Sequence, residues 1–296
     1  MSKIHKALER AQRERDREAE KDVLYTPESP EQPKEQAEGA PEPPGAVPVA
    51  AGEGIAANQR LIAFYDPDSV AAEQFRKLRT QLLRLRLHKP PRTILVTSAT
   101  AGEGKTMVSA NLAAGIAYEL NAYALLVDCD MRTPALSQWF SGRNGYGLSD
   151  YLIGRKEISD IIVRTEVDKL RILFSGTVQD NPTELIGSGK MQALVHELKS
   201  RYSDRYIILD SSPLLSTSEP EVLSKLVDGI LIVVRAGMTP RETLKQAISS
   251  LDKEKILGFV LNDLQFKSAG LISRYFGSDS SYYGYHYGKS RRGKKG

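Results

Sequence analysis

An eight-residue segment has the composition and spacing of a phosphate-binding loop. Ala99-Thr-Ala-Gly-Glu-Gly-Lys-Thr106 lies between an apolar run and a helical pattern. Gly102 and Gly104 allow backbone N–H groups to turn toward an anion, and the following helix N-terminus adds partial positive charge. Lys105 can reach the β- and γ-phosphates of a nucleotide, and the Thr106 hydroxyl can ligate Mg²⁺. The residues predicted to bind nucleotide here are Ala101, Gly102, Glu103, Gly104, Lys105, Thr106 and Met107.

A second segment ends an apolar run with two carboxylates, in Ala124-Leu-Leu-Val-Asp128-Cys-Asp130. Residues i and i+2 of an extended chain point the same way, so both acids face one site and Cys129 faces the other side. Adjacent carboxylates repel one another unless a cation or a proton relieves them, which suits Mg²⁺ or a general base. Two aspartates that cap a helix or form a turn would give the same pattern. We interpret Cys129 as packed core rather than as a nucleophile.

A third carboxylate ends another apolar run, in Tyr206-Ile-Ile-Leu-Asp210-Ser-Ser-Pro213. An acid at this place can bind the Mg²⁺ of a nucleotide, but many parallel strands end in Asp. The prediction that Asp210 binds metal is stronger because the phosphate loop and the acid pair precede it in the order that such a site requires. The residues predicted to ligate metal are Thr106, Asp128 and Asp210.

The elements that must position these residues alternate along the chain. Near-continuous apolar strands between helices indicate a doubly wound, mostly parallel α/β sheet of the P-loop NTPase type, with helices on both faces. Functional loops should then lie at the carboxyl ends of the strands. The predicted strands are 93–97, 124–128, 170–174, 206–210, 230–235 and 257–262, and the predicted helices are 69–87, 105–120, 190–202 and 241–252.

Both ends of the chain differ from this central domain, which we predict to span residues 59–276. Residues 1–25 are predicted to form a docking helix with one narrow apolar stripe, although a solvated helix would have the same sequence pattern. Residues 26–58 contain seven of the chain's 15 prolines and are predicted to be a disordered linker. Residues 277–296 are mostly Ser, Gly, Tyr and basic residues, and are predicted to be a flexible tail.

The composition narrows the class of protein. The chain has 296 residues, of which 41% are hydrophobic, and its single cysteine excludes an internal disulfide. It has no secretory signal pattern and no charge-free apolar run of about 18 residues, so we expect a soluble, cytosolic protein. Five basic residues stand in the last eight positions, and the other 36 nearly balance the 37 acids. Such a tail can contact phosphate or an anionic membrane, or it can simply keep the terminus soluble.

Together the three motifs resemble those of the bacterial tyrosine kinases of polysaccharide loci. That family has a phosphate loop, an apolar run followed by Asp-x-Asp-x-Arg, and a strand that ends in Asp-Ser/Thr-Pro-Pro. These motifs stand here at Ala99–Thr106, Asp128–Arg132 and Asp210–Pro213, with Ser212 in place of the first Pro, and the resemblance covers roughly residues 60–288. The supporting segments are Gly147–Leu152, Asn181–Leu185 and Val227–Arg235.

The resemblance implies phosphoryl transfer from Mg·ATP to a tyrosine hydroxyl. Lys105 would hold the phosphates, Asp128 would orient or deprotonate the acceptor tyrosine, and Asp130 would support the metal or its water shell. Arg132 would either hold the acids in place or contact phosphate, and the sequence does not decide between the two. By analogy, Asn262 at the end of the last predicted strand is expected to contact adenine.

The family also implies assembly and self-modification. Glu73-x-x-Arg76-x-x-Arg79 matches its oligomerisation motif, and charges at i, i+3 and i+6 share roughly one helix face, as they would on any charged surface helix. The assembly implied is a ring-shaped homo-oligomer, for which an octamer is one candidate size. The predicted phosphoacceptors, which a neighbouring subunit would supply in trans, are Tyr282, Tyr283, Tyr285 and Tyr287, with Tyr275 as a weaker candidate.

The start of the chain, Met1-Ser-Lys-Ile-His-Lys-Ala-Leu8, resembles a subgroup that lacks its own membrane segment and accompanies exosortase-linked exopolysaccharide genes. This implies a separate membrane-anchored polysaccharide co-polymerase, or chain-length determinant, as the activating partner. The protein would then be cytoplasmic and peripheral at the inner membrane through that partner. No nucleic-acid partner is expected.

Two other functions fit parts of the sequence. A partition or positioning ATPase of the same fold would hydrolyse ATP and modify no protein, but Thr100 stands where those relatives carry an extra lysine, and the tyrosine tail has no use in them. The other is a non-enzymatic, nucleotide-sensing scaffold whose helix and tail bind an assembly machine, and the intact Lys105, Asp128 and Asp210 argue against it. Phosphotyrosine on the purified protein would separate the kinase from the ATPase, and ATP consumption without a partner would exclude the scaffold.

Overall fold

The computed structural model describes residues 57–85, 90–140, 145–201 and 204–263. The predicted docking helix, most of the predicted linker and the tyrosine-rich tail lie outside the described residues. The described chain starts at Ala57, which forms an isolated antiparallel bridge with Phe140. The Asn58 N–H donates to the Trp139 carbonyl at 2.6 Å. Ala57 and Asn58, which the prediction placed at the end of the linker, therefore pair with the folded domain.

The centre of the molecule is a seven-stranded sheet with the strand order β3-β4-β2-β5-β1-β6-β7. All neighbouring strands run parallel except β3, which is antiparallel to β4. The mostly parallel, doubly wound sheet predicted from the sequence is therefore confirmed. The strands are β1 Thr93–Ser98, β2 Tyr123–Asp128, β3 Ile162–Arg164, β4 Leu170–Leu173, β5 Arg205–Asp210, β6 Gly229–Arg235 and β7 Ile256–Asn262.

The helices connect these strands and precede the first of them. Short 3₁₀ turns at Ile158–Asp160 and Lys253–Lys255 lead into β3 and β7. None of the helices in the described ranges is long and apolar enough to cross a membrane. The α-helices are α1 Ile62–Tyr65, α2 Val70–Leu83, α3 Lys105–Ala117, α4 Leu136–Trp139, α5 Leu148–Leu152, α6 Pro182–Ile186, α7 Gly189–Arg201, α8 Glu219–Leu226 and α9 Arg241–Ile248.

Apolar side chains on both faces of the sheet form two core layers. In β1, Ile94 and Val96 belong to the layer beneath α3, whereas Leu95 belongs to the layer on the opposite face. Each fully buried aliphatic side chain of this kind contributes about 1.5–3 kcal/mol to folding. Eleven of the 13 residues of α3 are buried, and most of those are small or aliphatic. The helix that follows the predicted phosphate loop is therefore fixed firmly against the sheet.

Some elements differ from the prediction. Helix α2 ends at Leu83 rather than at residue 87, α3 ends at Ala117 rather than at 120, and α9 ends at Ile248 rather than at 252. Strand β3, the short helices α1, α4, α5 and α6, and helix α8 were not predicted. Strand β3 has only three residues, which is too short to show a periodicity. The other strands lie within one residue of their predicted bounds.

Candidate active site

The phosphate loop connects β1 to α3 with two glycines in the left-handed region. Gly102 has φ 80° and Gly104 has φ 95°, a backbone region that residues with a Cβ rarely adopt. Gly104 is the N-cap residue of α3, so the first N–H groups of that helix lie at the loop. Lys105 begins the helix and is only 9% exposed. The loop therefore offers an anion its backbone N–H groups, a helix N-terminus and a lysine.

Contacts from two distant segments fix this loop. The buried Glu103 carboxylate accepts from the Thr100 N–H at 3.2 Å and from the Thr239 hydroxyl, which lies after β6. The Asn262 amide at the end of β7 donates to the Glu103 carbonyl at 2.9 Å. A Cβ on Gly104 would lie 2.1 Å from the Asn262 Nδ2 atom. Thus the Glu103 and Asn262 side chains support the loop backbone, and an Asn262 contact with adenine stays a prediction.

Two of the predicted acids meet at the carboxyl edge of the sheet. Asp128 ends β2 and Asp210 ends β5, and the two residues are direct partners in the parallel register. They are 0% and 1% exposed. The Asp128 Oδ1 atom accepts from the Asp130 N–H at 3.2 Å, whereas Asp128 Oδ2 and Asp210 Oδ1 are buried without a hydrogen-bond partner. A pair of buried carboxylate oxygens is thus left for a ligand or a proton.

The environment of these carboxylates disfavours their charged forms. Burial, followed by the charges of Asp210 and Asp130, raises the pKa of Asp128 well above its usual range. Burial also raises the pKa of Asp210 to about 6, although hydrogen bonding from the Thr106 hydroxyl and the charge of Lys105 act in the opposite direction. Asp210 is therefore close to both residues of the phosphate loop that the sequence assigned to phosphate and metal.

This donor set fits a magnesium ion that is shared with a nucleotide. Mg²⁺ is usually bound through one or two carboxylates, water and substrate phosphates rather than by an all-protein cage. Two unpartnered carboxylate oxygens and the hydroxyl of Thr106 suit that arrangement. In the part of the chain that the structure describes, no group of three His, Cys, Asp or Glu side chains could hold a metal alone. The phosphates of a nucleotide would have to complete the site.

The neighbours of Asp128 along the chain have different environments. Asp130 is 8% exposed, and its Oδ1 atom accepts from the Thr133 N–H at 3.0 Å and the Thr133 hydroxyl at 3.1 Å. Cys129 is 1% exposed in the opposite core layer, and burial, with the charge of Asp128 next, raises the pKa of its thiol. The interpretation of Cys129 as packed core is confirmed.

The Arg132 guanidinium is held by side chains from two other segments of the chain. Its Nε atom donates to the Glu219 Oε1 atom at 2.9 Å, and its Nη2 atom donates to the Thr183 hydroxyl at 3.2 Å. The Thr183 hydroxyl donates to the same Glu219 oxygen at 2.8 Å. The Glu219 side chain is 3% exposed and that of Arg132 is 49% exposed. Among the described residues, Arg132 makes no hydrogen bond to Asp128 or Asp130.

The predicted oligomerisation motif on α2 makes contacts within its own chain. Arg76 Nε pairs with Glu73 Oε2 at 2.7 Å, and both side chains are more than 40% exposed. The Arg79 side chain is only 16% exposed, pairs with Glu119 at 2.9 Å and donates to the Gly115 carbonyl at 3.0 Å. The exposed pair is free to meet a partner, whereas Arg79 joins α2 to the end of α3. A role of these residues in assembly stays a prediction.

The structure thus brings the phosphate loop together with Asp128, Asp130, Asp210 and Asn262 at one edge of the sheet. The predicted acceptors Tyr282, Tyr283, Tyr285 and Tyr287 lie outside the described residues. Glu219, Thr183 and Thr239 contact residues of the site without a role predicted from the sequence. Asn-Pro-Thr and Ser-Glu-Pro are typical helix starts that follow strands, and these signals place Thr183 and Glu219 at the carboxyl edge.

Comparison with known proteins finds relatives of the chain in one group. A family model described as an AAA domain matches residues 91–257. The chain is 31% identical over 206 residues to the tyrosine-protein kinase YwqD of Bacillus subtilis, a match that covers 69% of this chain and 86% of that protein. It is also 31% identical over 216 residues to the putative tyrosine-protein kinase CapB of Staphylococcus aureus, covering 72% of this chain and 93% of that protein.

A solved structure agrees with these sequence matches. The crystal structure of the chimerical protein CapA2B2 is 30% identical in sequence to this chain and superposes with a TM-score of 0.66. The match covers 72% of this chain and 93% of the solved chain.

Proposed function

The chain belongs to the bacterial tyrosine-protein kinases, and on that premise we propose that it transfers the γ-phosphoryl group of Mg·ATP to tyrosines of its own C-terminal tail. The observation that carries the proposal is the pair of buried, partnerless oxygens on Asp128 and Asp210, beside the phosphate loop. A site that only bound nucleotide would need one acid for the metal. The second acid is available to the acceptor.

On the donor side, the residues of the phosphate loop bind and orient ATP. The backbone N–H groups of residues 101–107 and the Lys105 ammonium hold the phosphates. Thr106 would ligate Mg²⁺, and Asp210 would bind it directly or through water. When bound, Mg²⁺ neutralises charge on the phosphates and leaves the γ-phosphorus open to attack. Asn262 would contact adenine from the end of β7.

On the acceptor side, Asp128 orients the tyrosine hydroxyl and takes its proton. The phenolic oxygen forms the new bond to the γ-phosphorus, the bond from that phosphorus to the bridging oxygen breaks, and ADP leaves with the bonding electrons. A raised pKa makes Asp128 a better proton acceptor than an ordinary aspartate. Asp130, fixed by Thr133, supports the metal or its water shell.

The acceptors in this proposal are Tyr282, Tyr283, Tyr285 and Tyr287, supplied by a neighbouring subunit of a ring. Each phosphate adds about −1.5 to −2 charge at neutral pH. Several such charges exceed the +5 of the last eight residues and repel the carboxylate-rich site. We expect phosphorylation to release the tail and to loosen the oligomer. Equal sedimentation of phosphorylated and unphosphorylated protein would contradict this part of the proposal.

The partner in this proposal is a membrane-anchored polysaccharide co-polymerase, which activates the kinase through a cytosolic peptide and places it at the inner membrane. The support is the resemblance of the motifs to kinases of polysaccharide loci, and of the first residues to the exosortase-linked subgroup. In this setting, cycles of phosphorylation would regulate the polymerisation and export of an exopolysaccharide.

The test is to incubate the full chain with Mg·ATP and the candidate activating peptide and to map phosphosites by mass spectrometry. The control is Lys105→Met, which removes the phosphate-binding ammonium. Phosphate on the tail tyrosines of the wild type alone is the expected result. ATP hydrolysis with no phosphotyrosine would refute the proposal and would favour a partition-type ATPase instead.

A further inference from the structure

One buried carboxylate near the site has no role in the proposed transfer. Glu219 begins α8 after the loop that leaves β5, and its side chain is 3% exposed. Its Oε1 atom receives two hydrogen bonds, one from Arg132 at 2.9 Å and one from Thr183 at 2.8 Å. Burial raises its pKa, but hydrogen bonds from Thr217, Thr183 and Arg132 outweigh burial, so the pKa is lowered and the group is ionised at neutral pH.

These contacts fix the direction of the Arg132 guanidinium. Glu219 and Thr183 bind one edge of the group, while 49% of the side chain stays exposed. A guanidinium has five N–H donors in a planar fork. The donors that Glu219 and Thr183 leave free in the described structure are oriented before any substrate arrives. An exposed cation with a fixed direction is suited to bind an oxyanion.

The strand order separates this cation from the residues that support the phosphate loop. Arg132, Thr183 and Glu219 follow β2, β4 and β5, which all lie on one side of β1 in the sheet. The residues that support the phosphate loop, Thr239 and Asn262, follow β6 and end β7 on the other side of β1. The acid pair ends β2 and β5, on the same side of β1 as Arg132. In the proposed transfer the phosphate loop after β1 binds the donor, so the acceptor tyrosine has to reach the acid pair on the side where Arg132 lies.

We infer that Glu219 is a positioning residue that holds Arg132 as the acceptor-side cation, and that Arg132 binds an oxyanion beside the incoming tyrosine. This inference rests on the proposed function. The sequence left open whether Arg132 holds the acids or contacts the donor phosphates, and in this inference it does neither. The tail offers two sources of such an oxyanion, the carboxylate of Asp279 and a neighbouring phosphotyrosine.

The test uses the full chain as enzyme and a mass-labelled peptide of residues 277–296 as acceptor, with the initial rate measured against peptide and against ATP. The variants are Glu219→Gln, which keeps the shape and removes the charge, Arg132→Met, and the double variant. We expect each single variant to lower kcat/KM for the peptide by about 10–100-fold, because a displaced substrate contact commonly has that cost. KM for ATP should change by less than about twofold, and the double variant should be no worse than Arg132→Met.

Glu221→Gln is the matched control, because Glu221 lies on the same helix with a 43% exposed side chain and pairs only at 3.7 Å with Lys225. It should match the wild type. Thermal unfolding of every variant separates loss of the contact from loss of the fold. A rise in KM for ATP equal to the loss with peptide would overturn the inference, because Arg132 would then serve the donor. Additive losses in the double variant would overturn it too, because Glu219 would then act independently of Arg132.

Two further peptides identify the oxyanion. One carries phosphotyrosine at position 287, and the other carries Asp279→Asn. A wild-type preference for the phosphorylated peptide that Arg132→Met abolishes would identify phosphate, and a loss with Asp279→Asn would identify the carboxylate. If neither peptide differs from the unmodified one, the inference is wrong. If the wild type phosphorylates no peptide and no tail while Lys105→Met behaves identically, the proposed function fails and this inference fails with it.

Discussion

Replacing Asp210 with Asn should stabilise the fold at neutral pH while it abolishes activity. Asp210 is buried, and its pKa of about 6 compares with 3.8 for an ordinary aspartate. That difference corresponds to about 3 kcal/mol by which the folded chain disfavours the charged form. Asn removes the charge but also one acceptor for the neighbouring hydroxyls, which costs about 1 kcal/mol. We therefore expect the free energy of unfolding to rise by about 1–3 kcal/mol at pH 7.5 without metal.

The pH dependence gives the sharper form of this prediction. Because the folded pKa of Asp210 is above the unfolded one, the folded state holds the proton more tightly. The stability that Asp210 contributes is fully present below about pH 4 and is lost as the pH rises through about 6. The difference between Asp210→Asn and the wild type should therefore be small near pH 4. It should grow between about pH 4 and pH 7, and stay constant above.

The assay is urea unfolding in EDTA, followed by the fluorescence of Trp139, the single and largely buried tryptophan. Asp228→Asn is the control with the opposite sign. Burial raises the pKa of Asp228, but hydrogen bonds from Lys199 and from the N–H groups of Thr93 and Arg92 lower it overall. Asp228→Asn should therefore destabilise the chain at pH 7.5, and that deficit should shrink as the pH falls through the folded pKa. Added Mg·ADP should stabilise the wild type more than Asp210→Asn.

The reasoning would be refuted by an Asp210→Asn variant that is less stable than the wild type at pH 7.5 in EDTA. It would also be refuted by a variant whose stability follows the wild-type pH profile in parallel. In either case the charged Asp210 carboxylate would not destabilise the folded chain.

Three further predictions concern the loop, the thiol and the α2 helix. Gly104→Ala should weaken binding of a fluorescent ADP at least tenfold more than Gly102→Ala. Both glycines have positive φ, but only a Cβ at position 104 would clash with another side chain, at 2.1 Å. Equal losses of affinity would mean that the structure relaxes to remove this clash. Cys129 should react with iodoacetamide in urea but not in native buffer, because it is 1% exposed with a raised pKa, and native labelling would contradict that burial. Arg79→Ala should lower Tm by several degrees, because it removes an ion pair with Glu119 and a charged hydrogen bond to the Gly115 carbonyl that together contribute about 1–3 kcal/mol. Arg76→Ala, at an exposed pair, should leave Tm nearly unchanged, and the converse order in a melting curve would refute the assignment.

The strands of the fold were predictable because their signal is local. Each central strand is a continuous apolar run bounded by turns, and burial on both faces of a parallel sheet makes such a run necessary. Strand β3 was not predicted because three residues are too few to show a hydrophobic periodicity, and its position depends on pairing with β4. The helix ends were less predictable, because Leu120 continues the helical pattern although it is 89% exposed beyond the end of α3.

The parts of the site that consist of residues adjacent in sequence were predictable, whereas the parts that depend on contacts between distant residues were not. The phosphate loop and the Asp-x-Asp segment are contiguous, so spacing alone indicated them. By contrast, the bonds from Glu103 to Thr239 and from Arg132 to Glu219 span 136 and 87 residues of sequence. Such contacts exist only once the order of the strands in the sheet is fixed. No pattern within a single segment could have paired these residues.

The position at which β7 ends has a consequence for the local concentration of the acceptor. Asn262 ends β7 against the phosphate loop, so the chain that leads to the tail leaves from the active-site edge of the sheet. Tyr282 follows Asp263 by 19 positions, a length of chain that spans at most about 65 Å when fully extended. Tethering on this scale typically gives an effective concentration in the millimolar range. In the proposed transfer, a tail tethered within reach of the neighbouring site needs only weak intrinsic affinity to saturate it. The rate at which a phosphorylated tail leaves then becomes the step on which regulation can act.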